Sequence, residues 1–214
     1  MMQNALSALV IHDIKNALAL LEIELEQLNH HEGVPVEGQR AYRRCIELKV
    51  RLMGFLTLYK HDQSGLKPMI QEIDPLEFLE DLVEASQSVQ MGKNHQGHPI
   101  SVEVDLKKIK QKAAGFFDEN LVELALESAL NNAVRYAHRE VRVWFEQEGN
   151  ALTFKVFDDG TGFATEPVRR SSSSTGLGLA LCEAVASAHG DGKISIESLP
   201  GEGTLFAMTL HRAG

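Results

Sequence analysis

Residues 141–163 read Val141-Arg142-Val143-Trp144-Phe145-Glu146-Gln147-Glu148-Gly149-Asn150-Ala151-Leu152-Thr153-Phe154-Lys155-Val156-Phe157-Asp158-Asp159-Gly160-Thr161-Gly162-Phe163. Val141, Val143 and Phe145 recur at every second position, and so do Leu152, Phe154 and Val156. That is the period of a strand with one buried face. Glu148-Gly149-Asn150 between the two runs is a hairpin turn. The second strand leads straight into two acids and two glycines. A carboxylate at a strand end, followed by residues free to adopt unusual backbone angles, is a common way to build a ligand pocket. An ordinary strand-ending turn explains the glycines but leaves the pair of acids unexplained.

Helices and strands alternate around this hairpin. Upstream, Asp74-Pro75 is an N-cap followed by proline at the first helical position, opening a helix to about Ser88. Residues 91–99 are polar and read as a loop. Ile100, Val102 and Val104 alternate as a strand, and Asp118 caps a long helix to about Ala137. Downstream, 164–175 is a loop with four consecutive serines, 176–189 a helix, and 193–198 and 204–210 two strands around Pro200-Gly201-Glu202-Gly203. This order predicts an α/β sandwich, a mixed sheet with helices on one face.

The first 62 residues lack strand alternation. Ile11, Ile14, Leu18, Leu21, Leu25 and Leu28 mark a heptad seam on one helix, and Cys45, Leu48, Leu52, Phe55 and Tyr59 mark another. His31-Glu32-Gly33-Val34-Pro35 breaks the two, which makes an antiparallel hairpin. Ile46, Met53 and Leu56 widen the second stripe beyond what one hairpin covers. Two hairpins from two chains would make a four-helix bundle, so a homodimer is expected. His61 to Pro68 reads as a linker. The expected domains are 1–64, a helical dimerisation hairpin, and 65–214, the α/β domain.

The chain has 214 residues, 43% apolar and 24% charged, which excludes wholesale disorder. Lys plus Arg is 21 against 30 for Asp plus Glu, a net charge of −9 with no basic stripe, so nucleic acid is not an expected partner. No apolar run reaches the ~18 residues of a membrane span, and the N-terminus does not read as a secretory signal. Cys45 and Cys182 are too far apart in sequence for a metal-ligand spacing and fit buried thiols of a reducing, cytoplasmic setting.

Four groups carry candidate chemistry. His12 points away from the seam of Ile11 and Ile14, shares its face with Asn16 and adjoins Asp13. A neutral imidazole there is a usable nucleophile, with a carboxylate at hand to take the proton. Asn131-Asn132 sits in mid-helix against propensity, and an amide oxygen is a hard ligand suited to Mg2+. Arg135 lies three residues on and reaches the same side. Asp158, acceptor-only, suits an exocyclic amine. Thr175-Gly176-Leu177-Gly178 opens a helix, where free N–H groups favour anions. Each feature alone has a plain structural reading: a surface histidine, a polar helix face, a turn, a glycine cap. His30, His31, His95, His98, His138 and His189 show no ligand-like grouping and read as surface or locally hydrogen-bonded residues.

In their order these features resemble the two-component sensor histidine kinases over nearly the whole chain. His12 to Leu18 is similar to the phosphoacceptor box, Asn132 to Tyr136 to the N box, and Asp158 to Phe163, Thr175 to Leu179 and Gly201 to Phe206 to the glycine boxes. The resemblance implies a dimeric phosphoacceptor hairpin followed by a Bergerat-type ATP-binding domain. It implies autophosphorylation of His12 from ATP with Asp13 as base, and transfer to an aspartate of a response regulator. Asn16 would support dephosphorylation of that regulator. Asn132 would hold Mg2+, Asp158 and Thr204 the adenine, and Gly160 and Gly162 its wall. Arg135, Tyr136, Thr175, Gly176, Leu177 and Gly178 would line the nucleotide. Ala19 and Ile23, near the face of Asn16, would contact the regulator. Input would come from a separate sensor protein or from a region missing here. Ser128 stands where the family commonly has Asn or an acid, the lid is short, and Ser174 replaces a glycine. These departures leave open a phosphotransferase or regulator phosphatase with a degenerate nucleotide domain.

Overall fold

A computed structural model describes residues 16–17, 19–21, 23–24, 36–90, 99–110, 113–162, 176–199 and 201–212. Residues 16–17, 19–21 and 23–24 are helical. The elements that follow are α1 (Val36–Ser64), β1 (Gln71–Ile73), α2 (Pro75–Gln90), β2 (Ser101–Val104), β3 (Gly115–Phe117), α3 (Glu119–Tyr136), β4 (Glu140–Glu148), β5 (Ala151–Asp158), α4 (Leu177–Ala188), β6 (Lys193–Leu199) and β7 (Gly203–His211). Ile11, Ile14, Leu18, Leu25, Leu28 and the break at 31–35 lie outside the described residues.

Five strands form a mixed sheet in the order β2-β4-β5-β7-β6. Only β2 and β4 run parallel; the other pairs are antiparallel. The register brings Phe145 opposite Phe154 and Phe154 opposite Met208, so the apolar alternation of each strand lands on one face. That face packs under α2, α3 and α4 in a single core. Phe78 from α2, Phe117 and Phe154 form an aromatic trio with centroids 5.2, 5.5 and 5.7 Å apart, in tilted or edge-on geometry. The opposite face is not bare. Trp144 is shielded by Lys108, whose Nζ lies 3.7 Å from the ring centroid, and Arg142 lies over Phe157. Both place their cationic heads over an aromatic face.

Helix ends follow the local chemistry. Asp74 Oδ1 accepts from Leu76 N–H at 2.8 Å, ahead of Pro75 at the first helical position. Asp118 caps α3 through Oδ1 on Leu121 N–H. It does more than the sequence suggested: Oδ2 accepts from Met69 N–H at 2.8 Å, and its own N–H donates to His189 Nε2 at 3.0 Å. His189 in turn donates from Nδ1 to the Val185 carbonyl at 2.7 Å, a role that fixes the tautomer. Of the two readings of His189, the locally hydrogen-bonded one holds and the surface one does not: the side chain is buried, and burial lowers its pKa. Its stabilising, neutral form is lost as pH falls below the ordinary imidazole range of ~6.5, where the unfolded chain takes up a proton first.

Two further differences are local. β1 and β3 pair as a separate two-stranded sheet that the sequence did not announce, because three residues are too few to display alternation. The expected linker begins later than His61: α1 continues to Ser64 and ends at Gly65, whose φ of 72° and N–H bond to the His61 carbonyl form a left-handed cap.

The wide stripe of α1 divides into two faces. One face meets the helical layer: Gly54 packs on Leu181, Ile46 and Val50 border a cleft with Leu82, Ser86 and Leu130, and Lys49 offsets the charge of Glu123. Part of the breadth assigned to a partner chain is thus covered within this one. The other face, Leu48, Phe55 and Tyr59, stays exposed, with Phe55 and Tyr59 stacked 6.4 Å apart. Cys45 and Cys182 are buried and free, as expected.

Truncating the aromatic trio tests this core. Phe154→Ala is expected to cost ~3–5 kcal/mol in denaturant-induced unfolding, because the site is enclosed by sheet and helices and cannot collapse.

Candidate functional site

The end of β5 comes to rest beside α3 and the start of β7. Asp158, the last residue of β5, pairs in register with Thr204 and is 6% exposed. Burial is the main influence on its carboxyl and pushes its pKa up to about 6. The negative charge of Asp159 pushes the same way. Hydrogen bonds from Gly160 N–H (3.0 Å) and the Thr204 hydroxyl oppose both. Two glycines make this packing possible. A Cβ at Gly160 would lie 2.5 Å from the Tyr136 carbonyl oxygen and 2.6 Å from Asp158 Oδ1, and one at Gly203 would overlap the Asp158 carbonyl. Asp158, Gly160, Thr204 and the backbone of Tyr136 therefore form one buried polar corner.

A second polar group lies up the same helix. Ser128 and Asn132 are one turn apart on α3 and so share a face. Gly178, in the first turn of α4, sits directly against it. A Cβ there would overlap Ser128 Oγ and lie 3.7 Å from Asn132 Nδ2. Rotation of the Asn132 amide about its last torsion brings either its oxygen or its nitrogen to this side. Gly176 caps α4 in a left-handed conformation with φ of 69° and, having no side chain, makes no side-chain cap, so among the described residues no cap takes up the first N–H groups. Arg135, in the last turn of α3, lies over the Tyr136 ring at 5.6 Å. Gly162, with φ of 68°, continues the loop that leaves β5.

The structure thus gathers Asp158, Gly160, Thr204 and Tyr136 in one corner, and Ser128, Asn132 and Gly178 in another, with α3 as the shared wall. Gly162, Gly176, Leu177 and Arg135 lie along the connecting loop or helix ends. Asn16 is on an exposed helical stretch, as is Ile23, and Ala19 is half-buried. His12, Asp13, Thr175 and the loop 163–175 lie outside the described residues.

Sequence reasoning left one residue without a purpose. Asp159 Oδ1 accepts the backbone N–H groups of His138, Arg139 and Glu140 at 2.8, 3.0 and 3.2 Å. Burial works against its ionised form, but the three donors prevail and hold its pKa below the usual carboxylate value. The adjacent acids hence have opposite surroundings. The only sequence signal was their adjacency.

Known proteins resemble this chain in sequence and in fold. Residues 117–214 match the family of histidine kinase-, DNA gyrase B- and HSP90-like ATPases. The sensor protein RstB of Escherichia coli K12 is 27% identical over 94% of this chain and 47% of its own length. The sensor histidine kinase CpxA of the same strain is 25% identical over 87% of this chain and 42% of its own length. The chain spans about half the length of these curated relatives. Among solved structures, the histidine kinase AdeS of Acinetobacter baumannii shares the fold with a TM-score of 0.63 and 20% identity over 97% of this chain and 98% of that one. Full-length ShkA, solved in complex with AMPPNP, shares it with a TM-score of 0.65 and 17% identity, over 97% of this chain and 46% of that one. The proteins it is similar to are thus sensor histidine kinases, and its C-terminal half matches their ATPase family.

The contact between α3 and α4 is testable on its own. Gly178→Ala is expected to destabilise the fold by ~1–3 kcal/mol, and Ser128→Ala in the same chain to recover most of that loss by removing the hydroxyl the new methyl strikes. Thermal unfolding of the two single variants and the double variant measures the coupling.

Proposed function

We propose that this sensor histidine kinase catalytic core binds ATP, transfers its γ-phosphoryl group to His12 and passes it on to an aspartate of a response regulator. One observation carries the reading: a buried, acceptor-only Asp158 at a strand end, walled by glycines that allow close approach, beside a polar helix face and an uncapped helix start. A carboxylate in that corner accepts a hydrogen bond from an exocyclic amine, with Thr204 beside it, and so favours adenine. The free N–H groups of α4 and the positive end of its dipole suit the phosphates. Arg135, Gly162, Gly176 and Leu177 complete the wall of the nucleotide site, and Thr175, outside the described residues, is assigned to it by its place in the glycine box.

The polar face of α3 fits a divalent cation. Its donors are neutral, hard oxygens, an amide at Asn132 and a hydroxyl at Ser128, and Mg2+ commonly takes one or two protein ligands and the rest from phosphate and water. When bound, Mg2+ would supply charge neutralisation on the phosphates. The chain's own work is positioning: Asp158 fixes the base, the α4 start orients the phosphates, and the His12 imidazole attacks while Asp13 receives its proton. Asn16 serves the reverse task of regulator dephosphorylation, with Ala19 and Ile23 as the neighbouring contact. Two copies of the chain meet through Leu48, Phe55 and Tyr59, an apolar face left uncovered within one chain. The reading places the domain as 65–214 and the dimerising, phosphoacceptor hairpin as 1–64. The working setting is cytoplasmic, with input from a sensor region or sensor protein; among the described residues no helix is long and apolar enough to cross a membrane.

Incubation with Mg2+ and γ-labelled ATP tests the activity. Acid-labile, alkali-stable label on the chain is expected, and it is expected to vanish in His12→Gln. Label that persists in that variant contradicts the assignment of His12. ATP affinity is expected to weaken as pH falls through about 6, because Asp158 becomes protonated and can no longer act as a pure acceptor. The empty domain responds oppositely, gaining stability over the same interval as the buried charge is neutralised. Phe55→Glu is expected to convert a dimer into a monomer in light scattering, while leaving ATP binding in place.

A further inference from the structure

The second acid of the Asp158-Asp159 pair is not explained by a ligand role, and its surroundings give it another. We infer that Asp159 is a positioning residue for the nucleotide: its carboxylate clamps the turn between α3 and β4 onto the end of β5, and thereby sets the spacing between Asp158 and the polar face of α3. This rests on the proposed nucleotide site.

The geometry is specific. A single oxygen, Oδ1, gathers three successive N–H groups, those of His138, Arg139 and Glu140. These residues join the last turn of α3, which carries Arg135 and Tyr136, to the first residue of β4. In the other direction Asp159 N–H donates to the Glu140 carbonyl at 3.3 Å. The clamp therefore ties β5 to the chain leaving α3 from both sides. The same junction holds the close approach of Gly160 to the Tyr136 carbonyl. Without an acceptor at 159, three donors converge on empty space and the turn loses its side-chain tie to the end of β5, leaving the backbone bond from Asp159 N–H to Glu140 and the β4–β5 ladder to hold it. A shift of α3 relative to β5 would separate Asp158 from Asn132, which must act on opposite ends of one ligand.

Asp159 also faces Asp158 electrostatically. The charged or titratable groups that bear on Asp158 are Asp159, on its own loop, and His138, on the clamped turn. Removing the charge of Asp159 lifts a like-charge repulsion, so the acid limit of binding moves to lower pH. A residue that only braced the fold would leave that limit in place.

ADP binding to the full chain, measured by calorimetry with Mg2+ between pH 5 and 8, tests the inference. Asp159→Ala is expected to weaken ADP binding about tenfold at pH 7.5 with unchanged circular dichroism. Asp159→Asn retains an amide oxygen for the three donors and is expected to recover most of that loss, with its acid limb displaced to lower pH. A His138→Gln background removes the imidazole that also bears on the Asp158 carboxyl. Asp159→Ala binding as tightly as the parent, or an unmoved acid limb in Asp159→Asn, overturns the inference. If Asp159→Ala does not fold, the limb of Asp159→Asn decides alone. Asp158→Asn separates the two levels. Binding lost there but kept in Asp159→Ala sinks only the clamp, whereas a parent chain that binds no ADP sinks the site and the clamp together.

Discussion

Burying the Asp158 carboxyl is the constraint from which the surrounding structure follows. A carboxylate removed from water needs donors, and no cationic side chain is in contact with it among the described residues. Gly160 N–H and the Thr204 hydroxyl supply two. Obtaining them requires β7 to start beside β5 in one register, Gly203 to lie on the Asp158 carbonyl and Gly160 to reach the end of α3. These contacts hold only without a Cβ. Burial still outweighs these two donors and pushes the Asp158 pKa up to about 6. A buried acceptor short of donors is the natural partner of a ligand that brings an amine, so the cost carried by the empty fold is recovered when the proposed nucleotide binds.

Helix α1 links this domain to the hairpin by packing rather than by the chain alone. Its inner face lies on α3 and α4 through Gly54 and Leu181 and along the cleft at Ser86, and those two helices carry Asn132 and Gly178. Its outer face remains apolar and open. One helix thus packs on one side against the helices that carry the proposed phosphate site and presents its other side to the proposed partner chain. The linker is short by comparison: Gly65 N–H is bonded to the His61 carbonyl, Leu66 packs against the core and Met69 N–H is held by Asp118.

Much of this was legible in the residues because each element states its own period. The β4–β5 hairpin, the Asp118 cap and the helix after Gly176 declare themselves within a few residues. Ligand-facing positions were legible only through order, since a mid-helix amide or a strand-end acid is ambiguous by itself. What stayed hidden depends on distant partners. Nothing near His189 signals that Asp118, 71 residues earlier, donates to it. Nothing in Ser128 signals that a glycine fifty positions on needs it small. The width of the α1 stripe was read as one interface because periodicity counts apolar positions but does not say which surface covers each. The strands β1 and β3 were missed for lack of length.

The central claim is that the Asp158 corner reads an adenine base. Calorimetric titration of the full chain with ATP and, separately, with GTP in the presence of Mg2+ at pH 7.5 addresses it most directly. Guanine presents a carbonyl where adenine presents its amine, which sets two acceptors against each other at Asp158. Binding of ATP at least about a hundredfold tighter than GTP is expected, with that preference erased in Asp158→Asn. Equal affinity for the two nucleotides, or a preference that survives the substitution, contradicts the account.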